Sequence, residues 1–166
     1  MAGNHTQDRR RILALSRTAL VIGYGNPLRG DDGIGPAVAR AFENAGGERT
    51  RAIVCHQLTP ELAECIAAVD LAVFVDAAVN VEPGTVAMRE IQGASPPASG
   101  LGHIASPVAL LDLASKLYGR SPVAFLVTIG VRSLALSEVL SDAAAAALPV
   151  AIATVRQLLS ERLTAD

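Results

Sequence analysis

Short apolar runs alternate with segments of helical hydrophobic period along most of this chain. The runs, each of which predicts a strand, cover about 19–23, 51–57, 71–75, 85–91 and 123–129. The helical segments cover about 34–44, 60–69, a stretch that starts at 106, and 141–163. Strands that alternate with helices pack as a sheet between helical layers, and a core of Ala, Val, Leu and Ile suits buried parallel strands. We therefore expect one three-layer α/β domain with a five-stranded, mostly parallel sheet and helices on both faces.

The fourth run, 85–91, differs from the others because no helix separates it from the third. It follows a Pro83-Gly84 turn signal and alternates as a half-exposed strand would. We expect it to be antiparallel and at or near an edge, which makes the sheet mixed. The Gly-, Ser- and Pro-rich segment 92–105 is expected to be a loop.

Helix boundaries are marked by capping residues and prolines. Ser106 and Pro107 open one helix, and Thr59 is expected to cap another with Pro60 in its first turn. Pro149 should kink the last helix or split it in two.

The length and net charge of the chain limit the classes of function it can have. A chain of 166 residues is most simply one domain, assigned here to 18–166. The formal net charge of −2 gives no support for nucleic-acid or membrane-surface binding, which needs a basic face. No run approaches the roughly 20 apolar residues of a membrane span. We expect no nucleic-acid or membrane partner, and a monomer.

The cysteines and the N-terminus favour a cytoplasmic protein. Cys55 and Cys65 lack metal-site spacing and fall in apolar contexts, so both are expected to be buried, reduced thiols. The basic run 9–11 is followed by an apolar run, 12–15, that is too short for an export signal. Residues 1–17 are expected to be a flexible tail.

A glycine-rich turn, Gly23-Tyr-Gly-Asn-Pro-Leu-Arg-Gly-Asp-Asp-Gly-Ile-Gly35, joins the first strand to the first helix. Such turns usually cradle a phosphate, because glycines let backbone N–H groups approach an anion at the helix N-terminus. Here the turn carries two anions of its own, Asp31 and Asp32. The acidic pair argues against a phosphate and for a cation.

Two further polar residues are expected near this turn. Ligands of doubly wound sheets bind beyond the carboxyl ends of strands whose connections diverge. If the first and third strands are neighbours, Asp32 and Asp76 meet at one crevice, and His103 precedes a helix that could reach the same end. Two carboxylates and an imidazole suit Ni²⁺, Zn²⁺ or Fe²⁺ and leave coordination positions open.

These residues carry a family resemblance. The glycine-rich turn, Phe74-Val-Asp76-Ala and Gly102-His103 before a helix together resemble the hydrogenase maturation endopeptidases, from about residue 19 to 163. The resemblance implies a five-stranded mixed sheet and makes Asp32, Asp76 and His103 both the catalytic and the metal-contacting residues. The segment from His56 to Glu64 replaces a glycine-rich turn of better-known members and resembles the subgroup for soluble, NAD-reducing hydrogenases.

The resemblance also implies a reaction and a partner. Members of this family remove a C-terminal extension from the large-subunit precursor of a [NiFe]-hydrogenase. The nickel is already held by the precursor, so we expect no tightly bound cofactor of the protein's own. A ligand set with open positions can complete the coordination of a half-held ion, and binding energy available only with nickel gives discrimination.

Three other functions compete with this interpretation. A nucleotide-binding flavodoxin-like or Rossmann domain is disfavoured because Leu28 stands where the third glycine of GxGxxG belongs. A cysteine hydrolase would use Cys55 with His56 or His103, but a thiolate is disfavoured in an apolar strand. A non-catalytic nickel-sensing chaperone would use the same residues as the protease, and the sequence does not separate the two.

Several of these residues also have a purely structural interpretation. Asp31, and less readily Asp32, could cap the helix that follows them. Asn26 could orient the turn through its side-chain amide or simply occupy it. Glu61 and Glu64 are expected on a solvated helix face.

Overall fold

The computed structural model describes residues 17–43, 47–93 and 106–164. Five strands form the sheet: β1 (Ala19–Tyr24), β2 (Thr50–Cys55), β3 (Leu71–Ala78), β4 (Val86–Ile91) and β5 (Val123–Gly130). Four α-helices are described: α1 (Ile34–Glu43), α2 (Leu62–Ala67), α3 (Pro107–Tyr118) and α4 (Asp142–Thr164). A short 3-10 turn, Gly30–Gly33, leads directly into α1.

The strand order is β2-β1-β3-β5-β4. All neighbours are parallel except β4, which pairs antiparallel with β5 at one edge of the sheet. This confirms the predicted mixed α/β sheet and the position of the fourth strand. β1 and β3 are adjacent, and the chain leaves β1 toward β2 but leaves β3 toward β4 and β5. The connections therefore diverge between β1 and β3, where a crevice is expected.

Two apolar cores lie on the two faces of the sheet. Alternate residues of β1 face opposite sides, so Val21 packs under α1 and α4 while Leu20 and Ile22 pack under α2 and α3. Strand β3 divides in the same way, with Val73 on the first face and Phe74 on the second. Both faces of the central strands are buried, as in other parallel sheets covered by helices.

Helix ends agree with the sequence in one case and not in another. The Ser106 hydroxyl accepts a hydrogen bond from the Ala109 N–H at 3.2 Å, and Pro107 is the first residue of α3, as predicted. The predicted start of α2 is wrong: the helix begins at Leu62, and no side chain caps it. The Thr59 carbonyl, rather than its hydroxyl, accepts from the Leu62 N–H, so the residues from Thr59 form a turn before the helix.

The last helix corrects two further expectations. α4 runs unbroken through Pro149, so a split into two helices is wrong. Its 23 residues are also long and apolar enough to cross a membrane by length and composition, contrary to the expectation that no run approaches this. One side of α4, including Ala147, Ala151 and Val155, is buried in the core. Core helices pass the same test, so it is weak evidence for a membrane span.

Candidate functional site

The start of α1 lies directly on the ends of β1 and β3. A Cβ atom added at Gly23 would lie 2.1 Å from the Gly35 carbonyl oxygen. A Cβ added at Gly35 would lie 2.6 Å from the carbonyl oxygens of both Tyr24 and Val75. Only glycine permits this approach at both positions. The glycines therefore bring the acidic turn over the carboxyl ends of the two central strands.

Gly25 makes the turn fold back on itself. Its φ is +138°, and a Cβ there would lie 2.0 Å from the Asp32 carbonyl oxygen. The next residue then holds the acid: the Asn26 N–H donates to Asp32 Oδ2 at 2.8 Å. Asn26 Oδ1 accepts from the Leu28 N–H at 3.0 Å, so the side-chain amide shapes the turn as an Asx turn does. Asp32 is thus held in place while remaining partly accessible to solvent.

Asp31 has a different role from Asp32. It is 3% exposed, and its carboxylate accepts from the Ser141 N–H at 2.6 Å and from the Ser141 hydroxyl at 2.8 Å. The Ser141 hydroxyl in turn accepts from the Ala144 N–H in the first turn of α4. Asp31 therefore fixes the start of α4, 110 residues away, rather than capping the helix that follows it. Its carboxylate is engaged in structure and does not face the crevice as a free ligand.

Asp76 lies in β3, which extends two residues beyond it. Burial raises the pKa of its carboxyl, and the nearby Asp32 charge raises that pKa further. Hydrogen bonds from the Tyr24 hydroxyl and the Ala77 N–H act against these two effects. The turn after β1 therefore lies close enough to the end of β3 for the Asp32 charge to act on Asp76, while the catalytic and metal-contacting roles of both stay predictions.

Tyr24 is a residue of this site that sequence reasoning missed. Its side chain packs on the α2 and α3 face of the sheet, and its hydroxyl is hydrogen-bonded to Asp76. Burial and the Asp76 charge both raise the pKa of Tyr24, so the phenol stays protonated and donates. The available signal was the alternation of Leu20, Ile22 and Tyr24, which places all three side chains on one face.

His103 lies outside the described residues. α3, which begins four residues later, packs on the same face of the sheet as Tyr24. Within residues 17–43, 47–93 and 106–164, no group of three or more His, Cys, Asp or Glu is arranged to hold a metal ion. The ligand role of His103 stays a prediction, and the described part of the site is the pair Asp32 and Asp76.

The other residues considered above lie at the end of β2 or in the segment and helix that follow it. Cys55 and Cys65 are free thiols, half-buried rather than buried. Burial raises the pKa of the Cys55 thiol, which disfavours the thiolate that a cysteine hydrolase needs. His56 is exposed just after β2, beside Gly25, whose N–H donates to the Cys55 carbonyl. Glu61 is exposed, as is Glu64, in agreement with the predicted solvated face.

No protein-family model and no curated protein matches this chain. Solved structures do match. The hydrogenase maturating endopeptidase HybD from E. coli is 24% identical, with a TM-score of 0.70 over 87% of this chain and 93% of that one. The hydrogenase 2 maturation peptidase from Thaumarchaeota archaeon SCGC_AB-539-E09 is 22% identical, with a TM-score of 0.64 over 86% and 98%.

A third match has the widest coverage of the three. The [NiFe] hydrogenase maturation protease HycI from Thermococcus kodakarensis KOD1 is 23% identical, with a TM-score of 0.62 over 95% of this chain and 99% of that one. At these identities the likeness concerns the fold. The chain therefore has the fold of solved hydrogenase maturation endopeptidases over nearly its whole length.

Proposed function

We propose that this protein is an endopeptidase that removes a C-terminal extension from the nickel-loaded large-subunit precursor of a [NiFe]-hydrogenase. The observation that supports the proposal most is that the turn carrying Asp32 lies over the ends of β1 and β3, close enough for the Asp32 charge to act on Asp76. The shared fold supports it, because the solved neighbours are maturation endopeptidases. The reaction, the partner and the nickel are parts of the proposal.

The proposed recognition step uses carboxylate oxygens. Asp32 and Asp76, with His103 as a third ligand, would complete the coordination of nickel that the precursor already holds. Asp31 is excluded from this role because its carboxylate is buried against the start of α4, at 3% exposure, where it accepts from Ser141. Binding energy that exists only with nickel present would make the protein act on loaded precursor alone.

The environment of Asp76 gives the proposed reaction a pH dependence. A carboxyl must be ionised to bind a metal ion, and the pKa of Asp76 lies above the ordinary Asp value. Processing should therefore decline as the pH falls through that raised pKa. An acid limb at the ordinary pKa of an exposed aspartate would contradict the role given to this residue.

We further propose that the precursor belongs to a soluble, NAD-reducing hydrogenase. The segment His56–Glu64 carries this finer proposal. It starts at the exposed His56, beside Gly25 at the crevice, and includes the exposed Glu61 and Glu64. Side chains so placed could contact a substrate protein that docks at the carboxyl edge of the sheet. Cleavage of an NAD-reducing hydrogenase precursor, but not of a membrane-bound hydrogenase precursor, would support this assignment.

The central experiment incubates the purified protein with nickel-loaded and nickel-free precursor from its source organism. Mass spectrometry of the products reports whether a C-terminal peptide is released. We expect release only from the nickel-loaded precursor. Binding without any cleaved bond would instead support a nickel-sensing chaperone.

Three substitutions test the site: Asp32→Asn, Asp76→Asn and His103→Ala. Each should abolish release while the protein stays folded, because ligand loss at the crevice leaves both apolar cores intact. Asp142→Asn is a matched control, since Asp142 is an exposed aspartate in the first turn of α4. If two of the three variants process at a rate close to wild type, the site is wrongly assigned.

A further inference from the structure

Four side chains form a row across the sheet at the level of Asp76. Tyr24 of β1 pairs in register with Cys55 of β2, and Asp76 of β3 pairs with Thr128 of β5. The last paired residues of β1 and β3 are Gly23 and Val75, so Tyr24 and Asp76 follow side by side. The row lies on the face that α2 and α3 cover, because Tyr24 and Cys55 pack against that core.

Within this row, Tyr24 lies beside Asp76 on the adjacent strand, one residue beyond the last pair of β1 and β3, and the phenol and the carboxylate interact. The phenol ring packs against the apolar core, while the hydroxyl donates to the Asp76 carboxylate. The Ala77 N–H donates to the same carboxylate. A ring held by packing offers its hydroxyl at a fixed point, so the carboxylate loses rotational freedom about its side-chain bonds.

We propose that Tyr24 is the positioning residue for Asp76, and that its hydroxyl aims the carboxylate at the metal carried by the substrate. This inference rests on the proposed function. A carboxylate has about four lone-pair sites, so two hydrogen bonds leave others free for a metal ion. Hydrogen bonds to a metal-binding carboxylate typically change metal affinity or activity by 10- to 100-fold when they are removed.

Tyr24→Phe removes the hydroxyl and keeps the ring. The matched control is Tyr118→Phe, because Tyr118 is half exposed at the end of α3. Fluorescence anisotropy would measure the affinity of each variant for labelled precursor, with and without nickel. We expect Tyr24→Phe to weaken binding of the nickel-loaded precursor about tenfold and to leave binding of the nickel-free precursor unchanged. Tyr118→Phe should change neither affinity.

A double-mutant cycle asks whether the hydroxyl acts through Asp76. In an Asp76→Ala background, adding Tyr24→Phe should change the affinity for nickel-loaded precursor less than twofold, because the group being aimed is gone. An equal loss with and without Asp76 would overturn the proposal. So would an equal loss for nickel-loaded and nickel-free precursor, which is the result expected of a purely structural residue.

The peptide-release assay, run beside these affinity measurements, separates this inference from the function on which it rests. If the wild-type protein releases no peptide from nickel-loaded precursor, the proposed function fails, and the role of Tyr24 in it fails as well. If the wild type is active and Tyr24→Phe matches it in affinity and rate within twofold, only the role of Tyr24 is overturned. An active wild type supports both if Tyr24→Phe is impaired only toward nickel-loaded precursor and only when Asp76 is present.

Discussion

Two adjacent aspartates should respond to substitution in opposite ways. Asp31 is 3% exposed and accepts two hydrogen bonds from Ser141, whereas Asp32 is partly accessible and accepts one from the Asn26 N–H. Removal of a hydrogen bond to a charged group typically costs about 1.5–3 kcal/mol. Since Ser141 can regain water near the surface, we expect Asp31→Ala to lower the free energy of unfolding by roughly 2–4 kcal/mol in total.

Urea unfolding followed by circular dichroism measures this loss, and thermal unfolding should show it as a fall in Tm of roughly 4–16 °C. Asp32→Ala is the matched control and should cost only about 1 kcal/mol, below the range just given, because its single bond comes from the partly exposed Asn26 N–H, which water can satisfy. The double variant Asp31→Ala/Ser141→Ala should be less destabilised than the sum of its single variants, since both remove the same contacts.

The effects of the two substitutions on processing activity should be the reverse of their effects on stability. At a temperature where Asp31→Ala is still folded, we expect it to process nickel-loaded precursor, whereas Asp32→Ala should not. The assignment would be refuted if Asp31→Ala were as stable as wild type within about 0.5 kcal/mol, or if Asp32→Ala were the less stable of the two.

Three other substitutions test the remaining parts of the structure. Because burial and the Asp32 charge raise the pKa of Asp76 in the folded state, its ionisation opposes folding. Asp76→Asn should therefore have a higher free energy of unfolding than wild type at pH 7, as measured by urea unfolding. The difference should vanish at pH values where the wild-type carboxyl is protonated. A difference that stays constant with pH would contradict this prediction. Gly25→Ala should fail to fold or lose about 3 kcal/mol or more, because its Cβ meets the Asp32 carbonyl. The control Gly47→Ala has φ +65° and open space, so it should lose only about 1–2 kcal/mol in thermal unfolding. Cys55→Ala should keep its processing rate in the precursor assay, and loss of cleavage would revive the cysteine hydrolase.

The sheet was predictable because local patterns specify it. Apolar runs of strand length, separated by helical segments, predict both the strands and their covered faces. The missing helix before 85–91 identifies the antiparallel edge strand. The start of α2 was not predictable from Thr59 and Pro60, which carry capping signals but form a turn in which carbonyls accept from N–H groups three residues later. Competition between such a turn and a helical first turn depends on tertiary packing.

The candidate site was predictable only in part. Asp32 and Asp76 could be placed together because each follows or ends an apolar strand, and the carboxyl ends of parallel neighbours share one edge. The role of Asp31 depends on Ser141, which no local pattern links to the turn. Which residues meet across such a long stretch of chain depends on chain entropy and tertiary packing. The spacing of residues in the sequence therefore does not predict the contact between Asp31 and Ser141.

The row of side chains through Asp76 shows a sequence pattern that does predict which residues lie together at the site. On the face covered by α2 and α3, each of the three central strands changes from apolar to polar at its carboxyl end: Leu20, Ile22, then Tyr24; Ala72, Phe74, then Asp76; Ala124, Leu126, then Thr128. Each change looks like an ordinary strand end when a strand is taken alone. Once the register aligns the three strands, the changes fall at one level, where Tyr24, Asp76 and Thr128 are all partly exposed. Polar side chains at that level keep part of their surface in water, so they lose little hydration free energy. Their other side packs against apolar neighbours, which hold them in place. The physical requirement for an oriented carboxylate is therefore met by neighbours on the adjacent strands, and Tyr24 is the neighbour that reaches it.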